Sequence, residues 1–146
     1  MTRFVVEADG GSRGNPGVAG GGAVVIDPTS GSVLSEVGVY VGVATNNVAE
    51  YSGLIAGLEA AFERDAAASV VVRMDSKLVV EQMSGRWKIK HPEMQILSRR
   101  AQSLIAGRDV TFEWVPRLDN ARADAAANEA MDLRESFRRD LVDEQG

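Results

Sequence analysis

Residues Val5–Gly17, V-V-E-A-D-G-G-S-R-G-N-P-G, constrain this chain more than any other stretch. A β-branched run ends in an aspartate, and the nine positions from Asp9 hold four glycines, a proline and four polar or charged residues. The run predicts a strand over Phe4–Ala8 that delivers Asp9 at its C-terminal end. A carboxylate there, followed by backbone without side-chain bulk, suits a divalent cation beside a closely approaching ligand. A glycine-rich hairpin capped by an aspartate accounts for the same residues. The rest of the chain has to separate the two.

With 146 residues the chain is long enough for one domain with a real core. No apolar run approaches the roughly 18 residues that span a bilayer, and acids arrive too early for a signal peptide. Cytosolic residence is the expectation. Without cysteine there is neither a disulfide framework nor a thiolate metal site. A net charge of −5 argues against indiscriminate nucleic-acid binding. The charge is uneven, however: Arg86–Arg100 carries five Lys/Arg against Glu93, a local +4 that leaves −9 elsewhere. Trp87 and His91 sit among these cations. They read either as a phosphate-and-stacking surface or as a solvated helix start with Trp87 in the core.

Further strands are predicted over Gly22–Ile26 and Val33–Val41, joined by the turn D-P-T-S-G, then over Ser69–Met74 and Asp109–Val115. Helical spacing follows Asn47, with apolar residues at Val48, Tyr51, Leu54, Ile55, Leu58 and Phe62. Other helices are predicted from Ser76 to Met83, from Pro92 to Ile105, and over Asp119–Leu133. This order implies an α/β fold: a five-stranded mixed sheet, three strands antiparallel and two added by parallel crossovers, flanked by helices. Residues 1–133 then form the domain, and 134–146 a charged tail or linker stub.

Asp9, Glu50, Asp75 and Asp124 stand out by position. If the first and fourth strands are parallel neighbours, Asp9 and Asp75 emerge side by side at the carboxyl ends that favour ligand sites. Convergent carboxylates repel one another unless cations neutralise them, and two hard divalent ions need such oxygen ligands. Each acid also has a structural explanation. Glu50 closes a capping-box spacing from Asn47, Asp75 is placed to cap the next helix, and Asp124 sits in an alanine-rich helix. Glu7, two residues before Asp9 on the same strand face, reads as a supporting ion-pair partner.

The segments D-G-G-S-R-G-N-P-G, A-T-N-N-V-A-E-Y-S-G-L, M-D-S-K-L-V-V-E-Q-M and R-A-D-A-A-A-N-E-A-M-D resemble the successive motifs of type 1 ribonuclease H, in order, from about Phe4 to Asp132. The resemblance implies the ribonuclease H-like fold and Mg²⁺- or Mn²⁺-dependent hydrolysis of the RNA strand of RNA–DNA hybrids, leaving 5′-phosphate and 3′-hydroxyl ends. It makes Asp9, Glu50, Asp75 and Asp124 the ligands of two ions, with Asp9 bridging them. It implies reading of the RNA strand by Gly10, Gly11, Ser12, Asn15 and Asn46 with Glu50. Thr45, Asn47, Ser76 and Trp87 then fall where family members meet the DNA strand. Arg13, Lys77, Lys88 and Arg117 are added as cationic contacts.

The chain departs from the common pattern in two places. V-P-R-L-D-N-A-R-A-D, before the last aspartate, lacks the histidine that many members carry there; Arg117 is the nearest cation, and it cannot shuttle protons at neutral pH. R-W-K-I-K-H-P replaces a longer basic protrusion, so hybrid binding is expected to be weak and salt-sensitive. The short, histidine-less pattern resembles actinobacterial and archaeal members. Some of the former are fused to a C-terminal phosphatase-like domain, for which D-E-Q-G is a candidate junction. A monomer is expected. Another two-metal nuclease of the same fold, a silent hybrid-binding module and a structural metal-binding domain are the competing readings.

Overall fold

The first three strands form an antiparallel meander in the computed structural model, which describes residues 1–141. β1 (Arg3–Arg13) pairs with β2 (Gly17–Ile26), and β2 with β3 (Val33–Ala44). Helix α1 (Asn46–Arg64) crosses to β4 (Ser69–Met74), which runs parallel to β1. Helices α2 (Lys77–Met83) and α3 (Pro92–Ile105) lead to β5 (Val110–Trp114), parallel to β4. A 3-10 turn at Arg117–Asn120 precedes α4 (Ala121–Leu133), and β6 (Phe137–Asp140) returns antiparallel to β3. The order across the sheet is β5-β4-β1-β2-β3-β6.

The sheet therefore has six strands where the sequence predicts five. β6 falls within the stretch expected to be a bare charged tail. Only one of its residues, Phe137, is apolar, and its ring packs over Gly38, where a Cβ would come within 2.2 Å of the ring. Charge secures the remainder: Arg138 pairs with Glu63, and Arg139 makes a two-pronged contact with Glu129 at 2.7 and 2.6 Å. The candidate junction at Asp143–Gly146 lies outside the described residues. Among those described, no helix is long and apolar enough to cross a membrane.

β1 is also longer than expected. It continues through the glycines to Arg13, pairing Asp9 with Gly22 and Ser12 with Ala19, so Asp9 lies within the strand rather than at its end. Glycines carry no side chain to prevent this pairing, and the partner strand is itself glycine-rich. The parallel ladder with β4 does stop at Ala8↔Met74, so Asp9 and Asp75 leave that pair side by side.

Helices approach both faces at backbone distance. A Cβ on Gly21 would lie 2.4 Å from the Gly53 nitrogen of α1, and one on Gly22 would lie 2.3 Å from the Ala127 nitrogen of α4. Because successive strand residues alternate faces, α1 and α4 clamp β2 from opposite sides. The main core fills the α1 side, with Val6, Leu54, Leu58, Val70 and Val72 buried.

Candidate active site

The four acids are set by four separate elements. Asp9 projects from β1 toward α4, on the same face as Glu7, whose carboxylate accepts two hydrogen bonds from Arg122 of α4 at 3.1 Å each. This is the ion-pair role expected for Glu7. Asp75 follows β4, one residue ahead of the cap of α2, because Ser76 accepts the Val79 N–H at 3.3 Å. Capping therefore does not occupy Asp75. The cap of α1 is Thr45, whose hydroxyl accepts the Val48 N–H, which puts Glu50 beyond the first turn and removes the capping-box role. Asp124 lies in the first turn of α4, where the helix dipole favours an anion.

These acids line one open cleft of about 390 Å³, together with Gly10, Gly11, Ser12, Arg13, Asn46, Ser76 and Arg117. Asn15, Thr45, Asn47, Lys77, Trp87 and Lys88 are outside its lining. Trp87 is 46% exposed, so it is not a core residue. The sole histidine, His91, caps α3 by accepting the Glu93 N–H.

The rim is stapled by its own polar groups. Ser12 N–H donates to Asn46 Oδ1 at 2.7 Å, Ser12 Oγ donates to the Ala44 carbonyl at 2.6 Å, and Asn46 N–H donates to Asn15 Oδ1 at 3.0 Å. Both asparagines thus commit their amide oxygens internally, and their NH₂ groups are the chemistry left for a ligand. Arg13 is turned toward α4, pairing with Asp132 at 2.7 Å and donating to Asn128.

Adjacent glycines do different work here. A Cβ on Gly10 would lie 2.2 Å from the Ala49 carbonyl carbon and 2.3 Å from the Glu50 nitrogen, so Gly10 serves the packing of α1 on β1. A Cβ on Gly11 would meet only Met131 Cε, at 4.0 Å. Its bareness leaves room in the cleft. Gly11→Ala is expected to keep the wild-type Tm while weakening, by about tenfold or about 1.4 kcal/mol, binding of the RNA–DNA hybrid that the sequence resemblance implies as ligand. Thermal melts beside filter-binding titrations check this; unchanged affinity removes Gly11 from the binding surface.

Electrostatics mark the same spot. Burial pushes the Asp9 carboxyl up to about 8, assisted by the Asp75 charge and by the shared hydrogen bond and charge of Asp124, while the Gly10 N–H opposes the shift. Burial also pushes Glu50 up to about 7, with the Asp75 charge adding to it and the Ser76 hydroxyl opposing it. The acids form a row of neighbours rather than a closed cage: among the described residues no group of three or more acidic or histidine side chains is arranged to hold a metal ion. Even so, the donor set fits a hard divalent cation. It is all oxygen, and bound ions would offset both the burial that raises Asp9 and Glu50 and the added repulsion from Asp75.

Asn120 and Trp114 are contributors that sequence reasoning missed. Asn120 donates to the Ala8 carbonyl and to Asp75 Oδ1, and Trp114 Nε1 donates to the Asp75 carbonyl. An asparagine before an alanine-rich helix reads as an ordinary helix start, and nothing local signals these long-range partners.

Residues 7–130 match the family described as Reverse transcriptase-like. The chain superposes on LC11-RNase H1, solved in complex with an RNA/DNA hybrid, with a TM-score of 0.85, 40% identity, and coverage of 90% of this chain and 99% of that one. The chain belongs to the type 1 ribonuclease H family. A second member, the N-terminal RNase H domain of Rv2228c from Mycobacterium tuberculosis, superposes with a TM-score of 0.87 at 56% identity, covering 91% of this chain and 96% of that domain. The whole of that relative, the bifunctional protein Rv2228c, is 57% identical over 131 residues, which are 89% of this chain and 36% of the relative. This ribonuclease H chain therefore spans about a third of that relative's length.

Proposed function

We propose that this cleft hydrolyses the RNA strand of RNA–DNA hybrids with the help of Mg²⁺ or Mn²⁺. The observation that carries the reading is the row of four carboxylates from four elements, two of them holding protons far above the ordinary carboxylate range. A binding-only module has no use for four acids crowded into one cleft, two of them buried at this cost, and the hybrid-bound LC11 relative supports the same substrate class.

Asp9, Glu50, Asp75 and Asp124 are the residues that would hold the ions. When bound, divalent cations activate water and offset charge on the departing oxygen. The chain's own part is recognition and orientation. The NH₂ group of Asn46 and the open backbone at Gly11 in the cleft, with Asn15 bracing Asn46 from outside it, are assigned to the strand that carries 2′-hydroxyls, the groups that distinguish RNA from DNA. Trp87, Lys88 and Lys77, outside the cleft, are left to contact the duplex backbone farther along.

The test incubates labelled RNA–DNA, RNA–RNA and DNA–DNA duplexes with the protein in Mg²⁺, in Mn²⁺ and in chelator. Cleavage confined to the RNA of the hybrid, with 5′-phosphate ends and loss in chelator, is expected. Equal cutting of all three duplexes overturns the substrate assignment, and cutting in chelator overturns the metal dependence. Arg117, the cation lining the cleft, is expected to act only electrostatically: Arg117→Ala should lower single-turnover rates by about tenfold, roughly 1.4 kcal/mol, without moving the pH profile.

A further inference from the structure

Asp75 is gripped twice, from the last residue of β5 and from the turn that leads on to α4. Asn120 is fully buried, and its Nδ2 donates both to the Ala8 carbonyl of β1, at 2.9 Å, and to Asp75 Oδ1, at 3.0 Å. Trp114 Nε1 donates to the main-chain carbonyl of Asp75 at 3.2 Å. The Val115 N–H reaches the Met74 carbonyl at 2.9 Å. These contacts thus fix the backbone on either side of Asp75 and one of its carboxylate oxygens.

The amide orientation of Asn120 follows from chemistry. The Ala8 carbonyl can only accept, so the NH₂ must face it, and Oδ1 points the other way. That Oδ1 is buried without a hydrogen-bond partner. An apolar side chain of similar size would avoid an unsatisfied acceptor, so packing alone does not favour asparagine here. What asparagine supplies is a donor between two acceptors, the β1 carbonyl next to Asp9 and the carboxylate of Asp75.

We propose that Asn120, with Trp114, positions Asp75 for a divalent cation, committing Oδ1 to the protein and coupling Asp75 to the strand that carries Asp9. The proposal rests on the metal-dependent reading of the cleft. Neither residue touches substrate; both act through Asp75. The loop that lacks the histidine of other family members then serves as a fixed brace.

The test measures Mn²⁺ binding to the metal-free protein by calorimetry, without hybrid, beside Tm in chelator and steady-state cleavage. Asn120→Ala is expected to weaken Mn²⁺ binding by about tenfold or more, as loss of a group that orients a metal ligand does. Its kcat should fall while KM for the hybrid stays near wild type. Trp114→Phe keeps an aromatic ring but loses the Nε1–H together with part of the indole, and should show a smaller loss in the same direction. Wild-type Mn²⁺ affinity in both variants overturns the proposal, whatever happens to Tm. If Asn120→Ala does not fold, unchanged affinity in Trp114→Phe is sufficient to overturn it. No Mn²⁺ binding by the wild-type protein also overturns it. A wild-type protein that binds Mn²⁺ in an Asn120-dependent way yet leaves hybrid uncut keeps the positioning role and removes the proposed function. Hybrid cleavage by a protein whose variants bind Mn²⁺ normally does the reverse.

Discussion

Asp9→Asn is expected to lower hybrid cleavage by about 10³-fold or more, since it removes one of the four carboxylates proposed to hold the ions. The same change should make the metal-free protein more stable. The Asp9 carboxyl is raised from 3.8 to about 8 in the folded chain, mainly by burial. Between those values the folded chain keeps a proton that the unfolded chain has lost. The contribution of Asp9 to stability is therefore fully present below about pH 4 and lost as the pH rises through about 8. Glu50, raised from 4.5 to about 7, acts in the same direction over its own window. Asparagine does not titrate. In chelator, the Tm of Asp9→Asn should exceed that of wild type by a few degrees at pH 8, and the gap should close toward pH 4. Retention of more than a tenth of the activity, or a Tm gap independent of pH, would sink this account.

Gly53→Ala is expected to damage fold and site together. Alanine is normally better than glycine inside a helix by about 1 kcal/mol. At this position a Cβ would lie 2.2 Å from the Asp9 carbonyl oxygen and 3.0 Å from the Gly22 nitrogen and oxygen. Both neighbours are backbone, and backbone cannot swing aside. Overpacking of this kind costs about 3 kcal/mol or more, which outweighs the helix gain and should lower Tm by roughly 10 °C. Relief of the clash must displace the Asp9 peptide, so kcat should fall even where the protein remains folded. Gly57→Ala is the control: its Cβ would meet Val6 Cγ1 at 2.6 Å and Ala23 Cβ at 2.8 Å, neither of which belongs to the Asp9 peptide, so a smaller loss of kcat is expected. Wild-type melting and rate in Gly53→Ala would refute the contact.

What the sequence made legible depended on how local its causes are. β4 and α3 fall on the predicted residues, because S-V-V-V-R-M is bounded by Asp75-Ser76 and Pro92 starts a helix by its own geometry. The row of acids was legible because motif order carries long-range information that a single residue does not. β6 was not legible, since F-R-R-D has one apolar residue and its stability comes from partners as distant as Glu63 and Gly38. Asn120 was hidden for the same reason: its partners Ala8 and Asp75 are 112 and 45 positions away. The glycines of β1 misled in another way, reading as a loop when their partners in β2 make them a strand.

The contact between β1 and α1 has a consequence for how this cleft tolerates change. Asp9 and Glu50 hang from two main chains that touch directly, with only hydrogen on the carbons of Gly10 and Gly53 between them. Their separation is therefore a fixed gauge rather than an adjustable one. Repacking the core with larger or smaller side chains has no spacer here to thicken or thin. Variation elsewhere should leave the gap between the two acids untouched until the contact itself fails, and the rate should then drop in one step rather than decline by degrees.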